Sequence, residues 1–160
     1  MAKRQTLRGN EVMLWLDNKV VAASTSCKLD LTANTEDGGT KDDGEWDSPE
    51  IVGLKWSATN ESFDCVGIEG LTNDMIYADL FDEMVRKHHV AVTMCKPNMP
   101  AEDGVPEEGW KASAGTMIDP IFKGTAIITS LSRDMTVGSR GKINVSLSGV
   151  GALTSEYFEA

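Results

Sequence analysis

Residues 26–34 read Ser26-Cys27-Lys28-Leu29-Asp30-Leu31-Thr32-Ala33-Asn34, and this stretch decides the fold class. Polar and apolar side chains alternate throughout it. Successive side chains of a β-strand point to opposite faces, so a period of two indicates a strand that is buried on one face only. The stretch therefore predicts an antiparallel β-protein, with further strands on either side of this one.

Patterns typical of strands recur before and after it. Residues 11–16 and 20–23 are mostly apolar and flank Asp17-Asn18-Lys19, which is suited to a hairpin turn. Alternation resumes at residues 52–59 and continues at 62–66, after a predicted turn near Asn60-Glu61. The remaining predicted strands cover residues 90–94, 121–132 and 141–149.

One segment has the period of a helix instead. From Asn73 to about Lys87, apolar residues such as Ile76, Leu80 and Met84 recur every fourth position, with Thr72 or Asn73 as a cap. The chain has 160 residues and a mass of 17.3 kDa, which suits one domain. We therefore predict a single mainly β domain over residues 1–160, an antiparallel β-sandwich or barrel with one flanking α-helix.

Two long loops and an N-terminal arm complete this organisation. Residues 35–49 are too rich in glycine and acids for a strand interior, and residues 96–114 are rich in proline and acids. Residues 1–10 form the predicted arm. Loops of this length in a compact domain usually contact a partner, and Trp46 is a suitable anchor for one.

Charge and hydropathy exclude several classes of protein. The net charge is −10 and the pI is about 4.6, which argues against binding nucleic acid through clustered lysine and arginine. No apolar run approaches the roughly 20 residues that span a bilayer, and residues 1–10 lack the apolar core of a secretion signal. We expect the protein to be made in the cytoplasm without secretion and to have no membrane anchor.

The sequence offers no workable catalytic or cofactor site. Cys27, Cys65 and Cys95 are far apart and are predicted to be reduced, buried thiols. His88 and His89 are adjacent, so their side chains point in different directions, and we predict structural roles at the helix end.

Three ligand motifs were tested and fail. An EF-hand starting at Asp37 fails because Gly39 and Lys41 occupy ligand positions. Residues 138–142 lack the spacing of a phosphate-binding loop, and residues 149–151 lack the later glycine of a dinucleotide fingerprint. We therefore predict no enzyme activity, no metal and no cofactor.

Both halves of the chain resemble the major tail proteins, the tail tube family of long-tailed bacteriophages. In the first half the resemblance is carried by residues 9–16 (GNEVMLWL), 22–31 (AASTSCKLDL), Asn34-Thr35, the turn at residues 40–44 (TKDDG) and Trp46. In the second half it is carried by residues 122–131 (FKGTAIITSL) and 146–153 (SLSGVGAL).

This resemblance implies a structural virion protein that forms hexameric rings, stacked as a tail tube through which the genome is ejected. It implies contacts with itself and with the tape measure, terminator and distal tail proteins, while DNA passes without specific binding. It places the stacking contacts between rings on residues 35–49, with a contribution from the N-terminal arm of residues 1–10. The stacking candidates are Lys41, Asp42, Asp43 and Trp46, and the candidates to face the lumen are Asp30, Thr32, Asn144 and Ser146.

Two alternatives remain open at this point. The tube protein of a contractile injection system shares this architecture, and a monomeric ligand-binding β-barrel belongs to a different class.

Because the chain is acidic, we also expect the lumen of a tube to be predominantly acidic, which would keep DNA from adhering to the wall.

Overall fold

The computed structural model describes residues 3–4, 12–38, 44, 49–67, 69, 74–97, 111–112 and 120–156. Outside this part of the chain lie the predicted N-terminal arm, apart from Lys3 and Arg4, and most of residues 96–114.

Nine elements follow one another along the described residues. They are β1 (Met13–Leu16), β2 (Lys19–Val21), β3 (Ser24–Asp37), β4 (Pro49–Phe63), β5 (Asp74–Met75), α1 (Tyr77–Val85), β6 (Val90–Cys95), β7 (Ile121–Asp134) and β8 (Lys142–Glu156). The strands form an eight-stranded sheet in the order β3-β4-β8-β7-β6-β1-β2-β5. The predicted mainly β fold with a flanking helix is confirmed.

The sheet is mixed rather than wholly antiparallel. All neighbouring strands run antiparallel except β2 and β5, which pair in parallel through Val20 with Asp74 and Val21 with Met75. The strand that precedes β5 in the chain is β4, which lies near the opposite edge of the sheet, and α1 begins shortly after β5. The β2–β5 pair is only two residues long.

The first hairpin has the turn that its sequence predicts. Asp17 and Asn18 have φ values of 51° and 64°, which two-residue hairpin turns require and which Asp and Asn tolerate. The Asp17 carboxylate accepts a hydrogen bond of 2.8 Å from the backbone N–H of Ala91, and this bond ties the turn to β6.

The central strands are longer than predicted. Thr35, Glu36 and Asp37 belong to β3 and Pro49 belongs to β4, so these four residues of the predicted loop at residues 35–49 lie in strands. Cross-strand pairing overrides the low strand propensity of the acidic residues.

The predicted turn near Asn60-Glu61 is also wrong, because β4 runs through it without interruption. Asn60 is buried, and its side-chain oxygen accepts a hydrogen bond of 2.7 Å from the Ser24 hydroxyl. A polar residue that finds such a partner can stay inside a strand.

Helix α1 is shorter than the predicted segment from Asn73 to Lys87. Its N-cap is Ile76 rather than Thr72 or Asn73, because the preceding Asp74 and Met75 pair with β2. The N–H of Ile76 donates to the Asp79 carboxylate at 3.2 Å. Lys87, with φ 58°, ends the helix.

The main core lies on one face of the sheet. Both ends of the strand order contribute to it, so the sheet curls over its own apolar face, and α1 covers it with Leu80. The buried members are Leu14, Leu16, Val21, Trp56, Ala58, Met75, Leu80, Val90, Val92, Ala126, Ile128, Val145 and Leu147. A second cluster of Trp15, Val20, Cys95 and Ile121 fills the opposite face near β1 and β6.

Candidate assembly surfaces

The described residues contain no group of three or more His, Cys, Asp or Glu side chains that could hold a metal ion. His88 pairs with Glu83 at 3.2 Å, between Nδ1 and Oε2. The three cysteines, which lie in the described ranges, are thiols rather than members of a disulfide. Cys95 is buried as predicted, whereas Cys27 and Cys65 are only half-buried.

The environment of the thiols does not activate them. Burial raises the pKa of Cys27. Burial also raises the pKa of Cys65, with smaller contributions from the nearby Asp64 and Asp74 carboxylates. A raised pKa lowers the thiolate fraction at neutral pH, and the thiolate is the nucleophile.

Within the described ranges, no helix is long and apolar enough to cross a membrane.

A broad polar face covers the side of β3, β4, β8 and β7 that points away from the core. Cross-strand partners lie on the same face of a sheet, so the register identifies its rows. Three rows run across the four strands: Ser26, Glu61, Asn144 and Ser132; Lys28, Thr59, Ser146 and Ser130; Asp30, Ser57, Ser148 and Ile127. Thr32 follows two residues after Asp30. The four candidates to face a lumen, Asp30, Thr32, Asn144 and Ser146, therefore share one face.

This face carries lysines as well as carboxylates. Lysine and carboxylate side chains alternate over it, and Lys28 pairs with Asp30 at 3.6 Å, between Nζ and Oδ1. The lysines are Lys28, Lys55 and Lys142, and the carboxylates are Asp30, Glu36, Glu50, Glu61 and Asp134.

The sheet has two unpaired edges beside the polar face. β3 is the first strand of the sheet, so its outer side has no strand partner among the described residues. On β7, pairing with β6 ends at Ala126, and the segment from Ile127 to Asp134 has β8 as its strand partner in the same part of the chain. Unpaired edges of this length are templates for strands of another chain.

The end of β3 and the beginning of β4 form a two-stranded extension, residues 31–37 and 49–55, which we call the arm and which is distinct from the predicted N-terminal arm. β4 pairs with β8 only from Ser57 onward, so beyond this point it has β3 alone as a partner. Leu31 is 62% exposed and Leu54 is 69% exposed. Both lie on the face that continues the core face of the sheet, because Leu31 is paired with Trp56 and Leu54 with Ala33. Ile51 and Val52 are exposed as well.

Trp56 closes the core at the base of this arm. Its indole is 3% exposed and packs flat on β7 and β8, where a Cβ at Gly124 or Gly149 would overlap the ring. Its Nε1 donates a hydrogen bond of 3.1 Å to the carbonyl oxygen of Gly151. The two glycines therefore make room for the side chain that separates the body from the arm.

The outer side of α1 carries a second exposed apolar surface. Phe81 is 50% exposed and Val85 is 60% exposed. They lie four residues apart on one face of the helix, beside Tyr77, whose ring stacks on Phe81 with 6.4 Å between centroids. We call these three residues the α1 stripe.

A charged network holds α1 against the sheet. The Arg133 side chain pairs with the Asp64 carboxylate, and its guanidinium lies 5.0 Å from the centroid of the Tyr77 ring. Because Arg133 belongs to β7 and Tyr77 belongs to the α1 stripe, this contact fixes the position of the stripe relative to β7.

The stacking candidates Lys41, Asp42, Asp43 and Trp46 lie outside the described residues. Strands β3 and β4, on either side of this segment, lie within the described residues. The exposure of Leu31 and Leu54 on these strands was not predicted from the sequence. The alternation that includes Leu31 and Leu54 continues into buried positions, so the pattern alone does not mark them as exposed.

The fold of the chain matches that of solved tube assemblies, although no family model and no curated protein matches the sequence. A chain of the SPP1 tail tube superposes with a TM-score of 0.63 at 11% identity, covering 96% of this chain and 81% of that one. A chain of the virion of a native gene transfer agent gives a TM-score of 0.63 at 14% identity, covering 94% and 99%. A related chain comes from the tail of the empty gene transfer agent particle, refined with C6 symmetry.

A contractile assembly is also similar in fold. A chain of the sheath–tube complex of an extracellular contractile injection system, PVC, superposes with a TM-score of 0.60 at 10% identity, covering 96% and 93%. Each of these likenesses extends over nearly the whole chain. The chain therefore has the fold of tail tube proteins.

Proposed function

We propose that this protein is a major tail tube protein, a structural component of a virion tail whose copies form hexameric rings. The rings stack into a tube that conducts the genome. The observation that carries the proposal is the likeness in fold, over nearly the whole chain, to chains of assembled tubes. The sequence resemblance to major tail proteins supports it.

The two unpaired edges supply a mechanism for ring closure. If β3 of one copy pairs with the Ile127–Asp134 segment of the next, the four-stranded sheets join head to tail. Such a heterologous contact forms a closed ring when the rotation between copies closes, and it covers edges that would otherwise promote aggregation. The C6 symmetry of the gene transfer agent tail supports six copies per ring.

The polar face is then the wall of the lumen, with Asp30, Thr32, Asn144 and Ser146 on it. Small hydroxyl and amide side chains and mutually compensating charges offer DNA neither a basic surface to adhere to nor a strongly repulsive one. In this proposal Lys28, Lys55 and Lys142 compensate part of the negative charge of the wall. The role is structural rather than enzymatic.

Other partners follow from the same role. In a tail, the ends of the tube meet the tape measure, terminator and distal tail proteins, and the protein is made in the bacterial host cytoplasm without secretion.

Electron microscopy with light scattering tests the proposal. We expect the purified chain to form rings or tubes with a central channel. A protein that stays strictly monomeric over a wide concentration range would contradict it, and would favour a monomeric ligand-binding β-barrel.

The tube of a contractile injection system is the second candidate, because the PVC sheath–tube complex contains a chain of the same fold. The two candidates differ in cargo and in the neighbouring genes. A gene for a contractile sheath beside this one would favour the injection system, and genes for a capsid and a packaging terminase would favour a phage.

A further inference from the structure

Two neighbours of β8 each end their core-facing row with a charged residue. The buried Ile143 of β8 is the cross-strand partner of Ser62 on one side and of Arg133 on the other, so all three share the core face. Asp64 follows two residues after Ser62. The side chains of Arg133 and Asp64 meet as an ion pair across the end of β8.

This ion pair differs from an ordinary surface pair because one partner is almost buried. The side chain of Asp64 is 7% exposed, whereas that of Arg133 is 48% exposed. The N–H of Asp64 also donates a hydrogen bond of 2.8 Å to the carbonyl oxygen of Gly141, just before β8. A carboxylate that has left water requires a partner, so Arg133 and Gly141 together tie Asp64 to the end of the β7–β8 hairpin.

Helix α1 lies beside the unpaired edge of β7, the segment Ile127–Asp134. It packs against β7 more extensively than against any other strand. Val90, which follows the helix, pairs with Ala126, the last residue of β7 that β6 covers. At the other end of the helix, the Arg133 guanidinium lies 5.0 Å from the centroid of the Tyr77 ring. The unpaired edge therefore has β6 at one end and the Arg133 contacts at the other.

We propose that Arg133 is the positioning residue of this edge. By linking Asp64 and Tyr77, it holds the last residues of β7 in the extended form with which a strand of another copy can pair. The role does not require Arg133 to touch the neighbouring copy. This inference rests on the proposed function, in which the edge closes the ring, but the order of the edge can be measured in a single subunit.

The position of Arg133 explains why one contact is enough. Strand ends fray where few contacts hold them, and the end of β7 at Asp134 is the one farthest from β6. A subunit whose edge is ordered for only part of the time binds its neighbour with an affinity reduced by that fraction. Loss of Arg133 should therefore weaken assembly even where the core remains folded.

Hydrogen exchange in unassembled subunits tests the ordering directly. Arg133→Ala should speed exchange at least about tenfold for the amides of residues 131–134 that bond to β8, and should leave the amides beside β6 unchanged. Arg140→Ala is the matched control, because the Arg140 guanidinium also lies over a ring, at 5.3 Å from the centroid of Phe63, but this ring belongs to β4 rather than to α1. Equal exchange in the two variants would overturn the proposal.

The ring of Tyr77 tests the link to α1. Tyr77→Leu should raise the protein concentration needed for assembly at least about threefold, because it removes the surface on which the guanidinium lies. Tyr77→Phe retains the ring and should assemble like wild type. Sedimentation and electron microscopy measure both variants, and equal assembly of the two would show that α1 does not position the edge.

A purely structural role of Arg133 would be to neutralise the buried carboxylate of Asp64. Asp64→Asn removes that charge, so Arg133→Ala should cost less unfolding free energy in this background than in wild type. The second substitution should nevertheless still raise the concentration needed for assembly, because the contact with Tyr77 is lost in either background. A double variant that assembles like Asp64→Asn alone would contradict the positioning role.

Failure of this inference is distinguishable from failure of the tube. Normal assembly of Arg133→Ala would overturn the role of Arg133 and leave the proposed function standing. A wild-type chain that forms no rings would overturn the proposed function, whereas faster exchange in Arg133→Ala would still support the ordering of the edge by Arg133.

Discussion

Leu54 and Trp56 lie two residues apart on the same face of β4, yet one is 69% exposed and the other 3% exposed. Trp56 belongs to the body, where β7 and β8 continue beneath it, and Leu54 belongs to the arm, where β3 is the neighbouring strand. The side chains follow one alternating pattern, and only the neighbouring strands differ. Exposed apolar side chains grouped as they are on the arm are typical of surfaces that contact another chain.

The largest difference should appear when the two residues are truncated in turn. Trp56→Ala removes a fully packed indole and should lower the free energy of unfolding by about 3–5 kcal/mol. Leu54→Ala should lower it by less than about 0.5 kcal/mol, because its side chain is exposed in the isolated copy. Urea unfolding of unassembled subunits measures both, and similar losses would show that the arm is packed within one copy.

Substitution of Gly149 in the body and of Gly53 in the arm gives a second comparison of the two regions. At Gly149 a Cβ would overlap the Trp56 ring, so Gly149→Ala should cost about 1–3 kcal/mol. At Gly53, in the arm, a Cβ would lie 3.6 Å from the Asn34 amide nitrogen, an ordinary contact. Gly53→Ala should leave the unfolding midpoint nearly unchanged, and a larger loss there than at Gly149 would contradict the assignment of the two regions.

Much of the body could be predicted from local pattern. The Ser26–Asn34 alternation, the turn at Asp17 and Asn18, and the helix with Leu80 inward are all present in the structure. Each depends on neighbours in sequence, so periodicity and turn chemistry suffice.

The features that were missed depend on residues far apart in the chain. Asn60 was predicted to lie in a turn, but Ser24 supplies its hydrogen bond from 36 positions away. Thr35 to Asp37 were assigned to a loop, because nothing local reveals that Ile51 to Pro49 pair with them. The polar face could be predicted in outline, whereas the grouping of its lysines required the register that brings β3, β4 and β8 together.

The tip of the arm can be separated from its strands. Asp37 and Pro49 are cross-strand partners, so residues 38–48 can be replaced by Asn-Gly, a turn suited to a two-residue hairpin. We expect the unfolding free energy of the subunit to change by less than about 1 kcal/mol, because the replaced segment lies beyond the body.

Assembly of this variant reports on the stacking candidates Lys41, Asp42, Asp43 and Trp46. If these residues make the contacts between rings, rings should form in electron micrographs without stacking into tubes. Normal tubes would assign the contact to the strands of the arm instead.

The smallest effect concerns a carboxylate of the body. Burial raises the pKa of Asp74 above its ordinary value of about 3.9, and its Oδ1 is buried without a hydrogen-bond partner among the described residues. A raised pKa in the folded state means that the stability present below pH 3.9 or so is lost as the pH rises through the folded value. Asp74→Asn should therefore raise the melting temperature at pH 7 by a few degrees at most, and the gain should vanish as the pH falls below about 4. Thermal unfolding of the two subunits across this range measures it. A gain of equal size at all pH values would mean that the charge of Asp74 costs the body nothing, so that its carboxylate is as well solvated as those on the exposed arm.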